Sequence, residues 1–250
     1  MNYDNYSRKE LIEIIKCLSK NAYTFDLDDS GYLLLTYKNA CLINSQIYTD
    51  SKYRNSVNKD DNNSEISIVK NNAFSKKYDD ILKCVTAIDR ANSTHLNVND
   101  GRDKMTKRIM SIVDLKIRIE KSDPTLVTTL ANYSDDRKGF SFATKFCHYV
   151  GWYEMGNKNL YSIYDSIVSS ILPYYAWKYL NINLWKKRTK NEVQSYSKNI
   201  KYEDYQKLID DILKATGNKI DRFDLDHMLW YYYKGAIGLV KDSYGIINGN

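Results

Sequence analysis

A lysine at position 145 sits in S-F-A-T-K-F-C-H-Y-V, where almost every neighbour is apolar or aromatic. Twenty residues later Asp165 stands between Y-S-I-Y and S-I-V, a run of helix-forming and apolar residues. An amine surrounded by apolar groups is costly to keep charged, so its equilibrium moves toward the neutral, nucleophilic form. A neutral amine can attack an electrophilic carbon, and a carboxylate nearby can stabilise positive charge that develops there. The pair reads as the working groups of an enzyme acting at a carbon centre.

Both residues need helices to position them. On a helix that starts near Ser141, residues Ser141, Lys145, His148 and Trp152 share one face at 3.6-residue spacing, and Tyr149 borders that strip. Phe142 and Phe146 lie to one side, with Ala143, Cys147 and Val150 to the other, so the helix is apolar over most of its circumference and is expected to be buried. Lys145 is then either a snorkelling residue whose head reaches water or a functional amine in a cleft. Asp165 is placed to cap the helix that carries Ile167, Val168, Ile171 and Leu172, a role compatible with chemistry.

Beyond that core the chain reads as helix after helix. With only two prolines and ten glycines in 250 residues it lacks the turn residues that a sandwich or barrel requires. Helical stripes are expected after Ser7 (Leu11 to Leu18), from Ser75 to Ala91, and from Asp103 to Glu120 as one strong helix. Tyr32 to Ile47 reads as helix rather than strand, after a turn at Asp28 to Gly31. Ser122-Asp123-Pro124 is a cap followed by proline at the first helical position, opening a short helix to about Tyr133. A turn over 134–139 precedes the lysine helix. Past Asp165 the helix is expected to run to about Leu172 and stop at Pro173, with an aromatic segment to Trp185 and a basic run over 186–190. Glu203 to Ala215 is amphipathic and closed by Gly217, and the last helix covers Asp224 to about Lys234. Polar breaks fall at 50–64 and 92–101. The expected fold class is all-α, one unit over 1–250 with two helical subdomains flanking a cleft.

The formal charge of +6 favours a polyanionic partner, because each neutralised phosphate releases counterions; ordinary surface solubilisation explains it equally well. Four scattered cysteines (17, 41, 84 and 147), with no C-x-x-C pair, fit a reducing cytosol and a cytoplasmic protein. No His/Cys cluster has metal-ligand spacing, so neither metal nor cofactor is expected. No signal peptide and no apolar run of about 18 residues are evident, so no membrane partner is expected either.

A turn, a lysine near the start of a buried helix, about twenty residues, then an aspartate opening another helix: this layout resembles the helix-hairpin-helix DNA glycosylases. K-G-F-S-F-A-T-K-F-C-H-Y looks like their lysine-bearing branch, which includes the 8-oxoguanine glycosylases and especially the archaeal GO type. Y-S-I-Y-D-S-I-V is similar to the segment bearing that branch's second catalytic residue. The likeness is close over about 35 residues and loose over the rest of the 101–250 part, the helix-hairpin-helix and catalytic part. Residues 1–100, a divergent N-terminal helical part, show no clear match. The G-x-G hairpin of many members is represented by Gly139 alone.

The resemblance implies that a nucleotide is flipped from double-stranded DNA, that Lys145 attacks the sugar C1′ and expels a damaged or modified base, and that strand cleavage can follow. Asp165 would stabilise the developing charge. Tyr149, and the i,i+4 pair Asp226 and Trp230, match base-contacting positions, and His148 is a further base-binding candidate. Lys138, Gly139 and Ser141 would grip a phosphate at the helix N-terminus. The leaving base would be an 8-oxoguanine-like purine or a hypermodified base of phage DNA, and the setting repair or anti-phage defence. The protein would act as a monomer. Two other readings stay open: a non-catalytic DNA-binding protein on the same fold, and a helical protein-interaction module.

Overall fold

The computed structural model describes residues 25–49, 65–96, 98–134, 139–182, 184 and 201–234. The expected first helix, the 50–64 loop, Lys138 and the basic run at 186–190 lie outside the described residues. The fold is all-α. Nine α-helices are described: α1 (Tyr37–Thr49), α2 (Tyr78–Asn92), α3 (Gly101–Met110), α4 (Leu115–Glu120), α5 (Pro124–Ala131), α6 (Phe140–Met155), α7 (Ser166–Leu180), α8 (Tyr202–Ala215) and α9 (Arg222–Tyr233). A 3-10 turn covers Glu65–Val69, and among the described residues the only strand-like pairing is an antiparallel bridge between Leu27 and Leu33.

The helices group into two compact units. The first combines residues 1–49, 165–186 and 211–250; the second combines 50–164 and 187–210. Residue 100, where the sequence changes character, falls inside the second unit.

In the first unit α9 packs on α1 and on α7. The irregular stretch at 31–35 is held in its core by tyrosine hydroxyls. Tyr233 accepts from the Leu33 amide at 3.0 Å, Tyr175 donates to the Leu33 carbonyl at 2.7 Å, and Tyr232 donates to the Gly31 carbonyl at 3.0 Å. Buried backbone outside a helix must find partners somewhere, and here phenols supply them. The wholly buried Asn39 does the same for the preceding turn. Its amide accepts from the Asp26 N–H and donates to the Asp26 and Leu34 carbonyls.

The second unit repeats the device. Tyr202 bonds both the N–H and the C=O of Ser162, and Tyr205 donates to the Ile163 carbonyl. Around that segment α6 packs against α2, α4, α5 and the 3-10 turn, while α3 packs on α2 and α5. Gly101, which opens α3, lies so close to the Leu96 carbonyl that a Cβ would sit 2.6 Å from its oxygen.

Three expectations are corrected. Tyr32 to Ile47 is not helix throughout: residues 32–36 are irregular, with Leu33 bridged to Leu27, and α1 begins only at Tyr37. The single helix at 103–120 is two, because the chain turns at Ser111–Asp114, with Asp114 left-handed at φ 60°. Met105, Ile109 and Ile119 of its apolar stripe are buried, whereas Val113 and Ile117 face solvent. The helix after Asp165 does not stop at Pro173 but runs on to Leu180. Proline there forfeits one backbone hydrogen bond, yet Tyr174, Tyr175 and Ala176 beyond it are all buried, and that burial offsets the loss.

Candidate functional site

Gly139 precedes α6 with an ordinary negative φ of −95°, so its role is spatial and not conformational. A Cβ there would lie 2.9 Å from Met105 and 2.9 Å from Tyr133. Its N–H donates to the Ala131 carbonyl at 2.9 Å. The phosphate grip expected of that amide is therefore not on offer, because the donor is already used inside the fold. Ser141 lies in the first turn of α6, where helical N–H groups have no partner within the helix.

From there α6 runs sixteen residues to a left-handed Gly156. Phe142 to His148 are buried without interruption, as the apolar circumference requires. Lys145 is 6% exposed, so it does not snorkel to the surface. Its amine donates to the Ser141 hydroxyl, one turn back, at 3.3 Å. Phe142 and Phe146, four residues apart, stack with ring centres 6.2 Å apart on the flank of the lysine.

His148, on the same strip, is also buried. Its Nδ1 lies 3.0 Å from the Tyr161 carbonyl. A carbonyl can only accept, so Nδ1 carries the proton and the neutral ring keeps its lone pair on Nε2. Burial lowers the pKa of this histidine to about 4, well beneath its ordinary value. The Tyr161 hydroxyl in turn donates to the Arg118 carbonyl at 3.1 Å, which links α6 to α4 through one residue. Tyr149 is half-buried, and its hydroxyl donates to the Asn92 side chain at 3.1 Å, fixing it against the end of α2. Thr144, beside the lysine, is completely buried and accepts from the Tyr164 N–H at 3.1 Å. Neither the Tyr161 nor the Tyr164 contact has a local sequence signal; each joins residues 13 to 20 apart.

Asp165 and the α9 pair belong to the first unit. Asp165 is a complete N-cap: one carboxylate oxygen accepts from both the Ile167 and Val168 N–H groups, each at 2.9 Å. On α9, Asp221 and Asp224 form a reciprocal capping box. Asp226 and Trp230 follow on one face, both half-buried, and the Lys234 amine lies 4.0 Å above the Trp230 ring.

The first unit also holds a group that sequence reading missed. Asp28, in the turn before α1, accepts from Tyr174 and from Lys178 on α7. Burial alone would raise the Asp28 carboxyl, but Lys178, Tyr174 and the Tyr32 amide together hold it below its usual value. A cavity of about 420 Å³ opens beside this turn, with Trp177 on its wall. The available signal was the i,i+4 spacing of Tyr174 and Lys178. Because its opposite charges already satisfy each other, the group reads as a clamp between the turn and α7. Among the described residues no set of His, Cys, Asp and Glu could hold a metal ion. Cys84 and Cys147 are buried, and burial pushes the Cys84 thiol up to about 12, so neither behaves as a nucleophile at neutral pH. No described helix is long and apolar enough to cross a membrane.

The chain is similar to a family of N-terminal domains, HI_0787_N, whose model matches residues 42–154. That match begins within α1 and ends in the last turn of α6, so it includes Lys145 and stops before Asp165. It covers less than half of the chain, and its description carries no activity. No curated protein and no solved structure matches the chain.

Proposed function

We propose that the chain is a DNA glycosylase of the helix-hairpin-helix type, with Lys145 as its nucleophile. The observation that carries this reading is the burial of Lys145 beside stacked phenylalanines and the Ser141 hydroxyl. Ordering a lysine in such a place costs desolvation and side-chain entropy, and amines so placed are recurrent nucleophiles.

The reaction follows from the amine. Its lone pair forms a bond to the deoxyribose C1′ while the C1′–N bond breaks, and the base leaves with that electron pair and takes up a proton. The adduct opens the sugar ring and loses a proton to give an imine. Water then hydrolyses the imine, or a C2′ proton is lost and the 3′ phosphate leaves, which cleaves the strand. Asp165 caps α7, and the resemblance assigns its carboxylate to stabilising the positive charge on the sugar. The resemblance assigns the flipped base to Tyr149, Asp226 and Trp230, and Ser141 with the first amides of α6 takes the phosphate. His148, its ring turned to the Tyr161 carbonyl, positions α6.

The test is release of free base from duplexes carrying 8-oxoguanine, uracil or phage-type modified cytosines, read by chromatography. Release from at least one by the wild type, and none by Lys145→Ala, is expected; no release from any sinks the reading. Asp165→Asn keeps the cap, since asparagine caps as well as aspartate, while base release falls by roughly 10²-fold or more. Unfolding of that variant would mean that capping is the residue's whole task.

A further inference from the structure

The cavity of about 420 Å³ in the first unit takes no part in the proposed reaction. Its size falls within the range of about 300–1,000 Å³ in which small-ligand sites occur. Its walls are the turn at Asp28 and the last turn of α7, where Trp177, Lys178 and Asn181 lie. The floor is satisfied within the fold. One Asp28 oxygen accepts from the Ser30 and Tyr32 amides, and the other from Tyr174 and Lys178. Tyr174 is held in turn by a stack on Tyr32, with ring centres 3.6 Å apart. The Lys178 charge is thus neutralised inside the clamp.

The rim is different. Trp177 is 45% exposed, although Tyr174 and Tyr175 beside it are buried. Asp26 and Asp28 each have a lysine partner, whereas the exposed Asp29 makes no ion pair among the described residues. Asn181 closes α7 in the left-handed region at φ 55°, its N–H on the Trp177 carbonyl. The aligned peptide dipoles of a fifteen-residue helix end there, and that end favours positive charge.

We infer that this cavity binds a guanidinium group, stacked on the Trp177 indole and paired with the Asp29 carboxylate. A planar, delocalised cation is the chemistry that answers a flat π face and a two-oxygen acceptor together. The side-chain carbonyl of Asn181, at the same rim, is a further acceptor for its N–H groups. The same unit pairs a cation with an indole elsewhere, at Lys234 and Trp230. Anions fit less well, because Asp29 and the helix end oppose them and Lys178 is engaged. A neutral ring also stacks on an indole, but it leaves the Asp29 charge without a partner. The inference does not depend on base excision.

The test titrates the full chain with arginine blocked at both ends (N-acetylarginine amide). The comparison is citrulline blocked in the same way, which has nearly the same shape and no charge. Affinity is measured by calorimetry, and the Trp177 indole N–H signal, assigned from the spectrum of Trp177→Phe, is followed by NMR. The arginine compound should shift that signal to saturation, with citrulline binding about ten-fold more weakly or worse. Trp177→Ala and Asp29→Asn should each weaken arginine binding by about five- to ten-fold, with urea midpoints little changed because both side chains are exposed. A Gly-Arg-Gly peptide and free agmatine separate two sources of the same group. Tighter peptide binding identifies a protein segment and tighter agmatine binding a free metabolite, and both orders support the site. Absence of a saturable shift, equal affinity for the arginine and citrulline compounds, or arginine binding that survives Trp177→Ala would overturn the inference. Lys145→Ala should titrate as the wild type does whatever becomes of base release, so the two proposals fail separately.

Discussion

In the second unit Lys145 is 6% exposed on α6, while Val113 is 79% exposed in the turn between α3 and α4. One is a charged residue type kept from water, the other an apolar side chain given to it. Each runs against the partition that drives folding, since burial of Lys without purpose and exposure of clustered aliphatics are both disfavoured. The two regions also share a scaffold: α4 packs on α6, and Tyr161 bridges the Arg118 carbonyl of the one to His148 of the other. The difference lies in how each departure is tolerated. The inner one is wrapped in tightly packed neighbours and cannot change without consequence. The outer one rests on its support and makes no contact that folding requires. Departures of this kind are where function is to be sought.

The sharpest way to break the comparison is to replace the inner residue. Lys145→Met removes the amine while keeping the volume, so base release should vanish while the melting temperature stays level or rises. A variant that melts well below wild type would make Lys145 a structural residue. The second is pH. His148 holds its neutral form down to about pH 4 in the folded chain, whereas an unfolded histidine protonates near 6.5. The unfolded state therefore binds the additional proton between those values, and stability is present above the window and is lost as pH falls through it. The loss should reach roughly 3 kcal/mol, and His148→Gln should flatten that part of a denaturant-midpoint series. Third, Gly139→Ala pushes a methyl against Met105 and Tyr133, and should cost about 1–3 kcal/mol in urea unfolding. The smallest effect belongs to the outer residue: Val113→Ser should change stability by no more than about 0.5 kcal/mol. A larger loss would show that the turn at Val113 is packed in solution and would remove the contrast.

Most of the helices could be read from apolar spacing, and so could the caps at Asp123 and Asp165, because both signals are local. The burial of α6 was legible for the same reason, since it is apolar all round, but whether the Lys145 head reaches water was not, because periodicity places a side chain on a face without saying where its end lies. The break at Ser111–Asp114 was not, because Ile112, Val113 and Ile117 continue the stripe of Met105 and Ile109 with no glycine or proline to interrupt it. The apolar pattern there serves a surface, and periodicity does not distinguish a surface from a core. Pro173 misled in the opposite direction, because buried tyrosines beyond it outweigh one missing hydrogen bond. The tyrosine hydroxyls that hold 31–35 and 162–163 were invisible, since each joins segments 40 to 201 residues apart. The 23 tyrosines can be counted in the sequence, but not which of them supply partners to buried backbone.

The claim that Lys145 is the nucleophile is tested most directly by trapping. The protein is incubated with a duplex whose modified base it releases, borohydride is added to reduce the imine to a stable amine, and the cross-linked peptide is sequenced by mass spectrometry. A single adduct on Lys145 is the expected result. An adduct on another residue, or base release by the wild type that leaves no adduct and persists in Lys145→Ala, would contradict it.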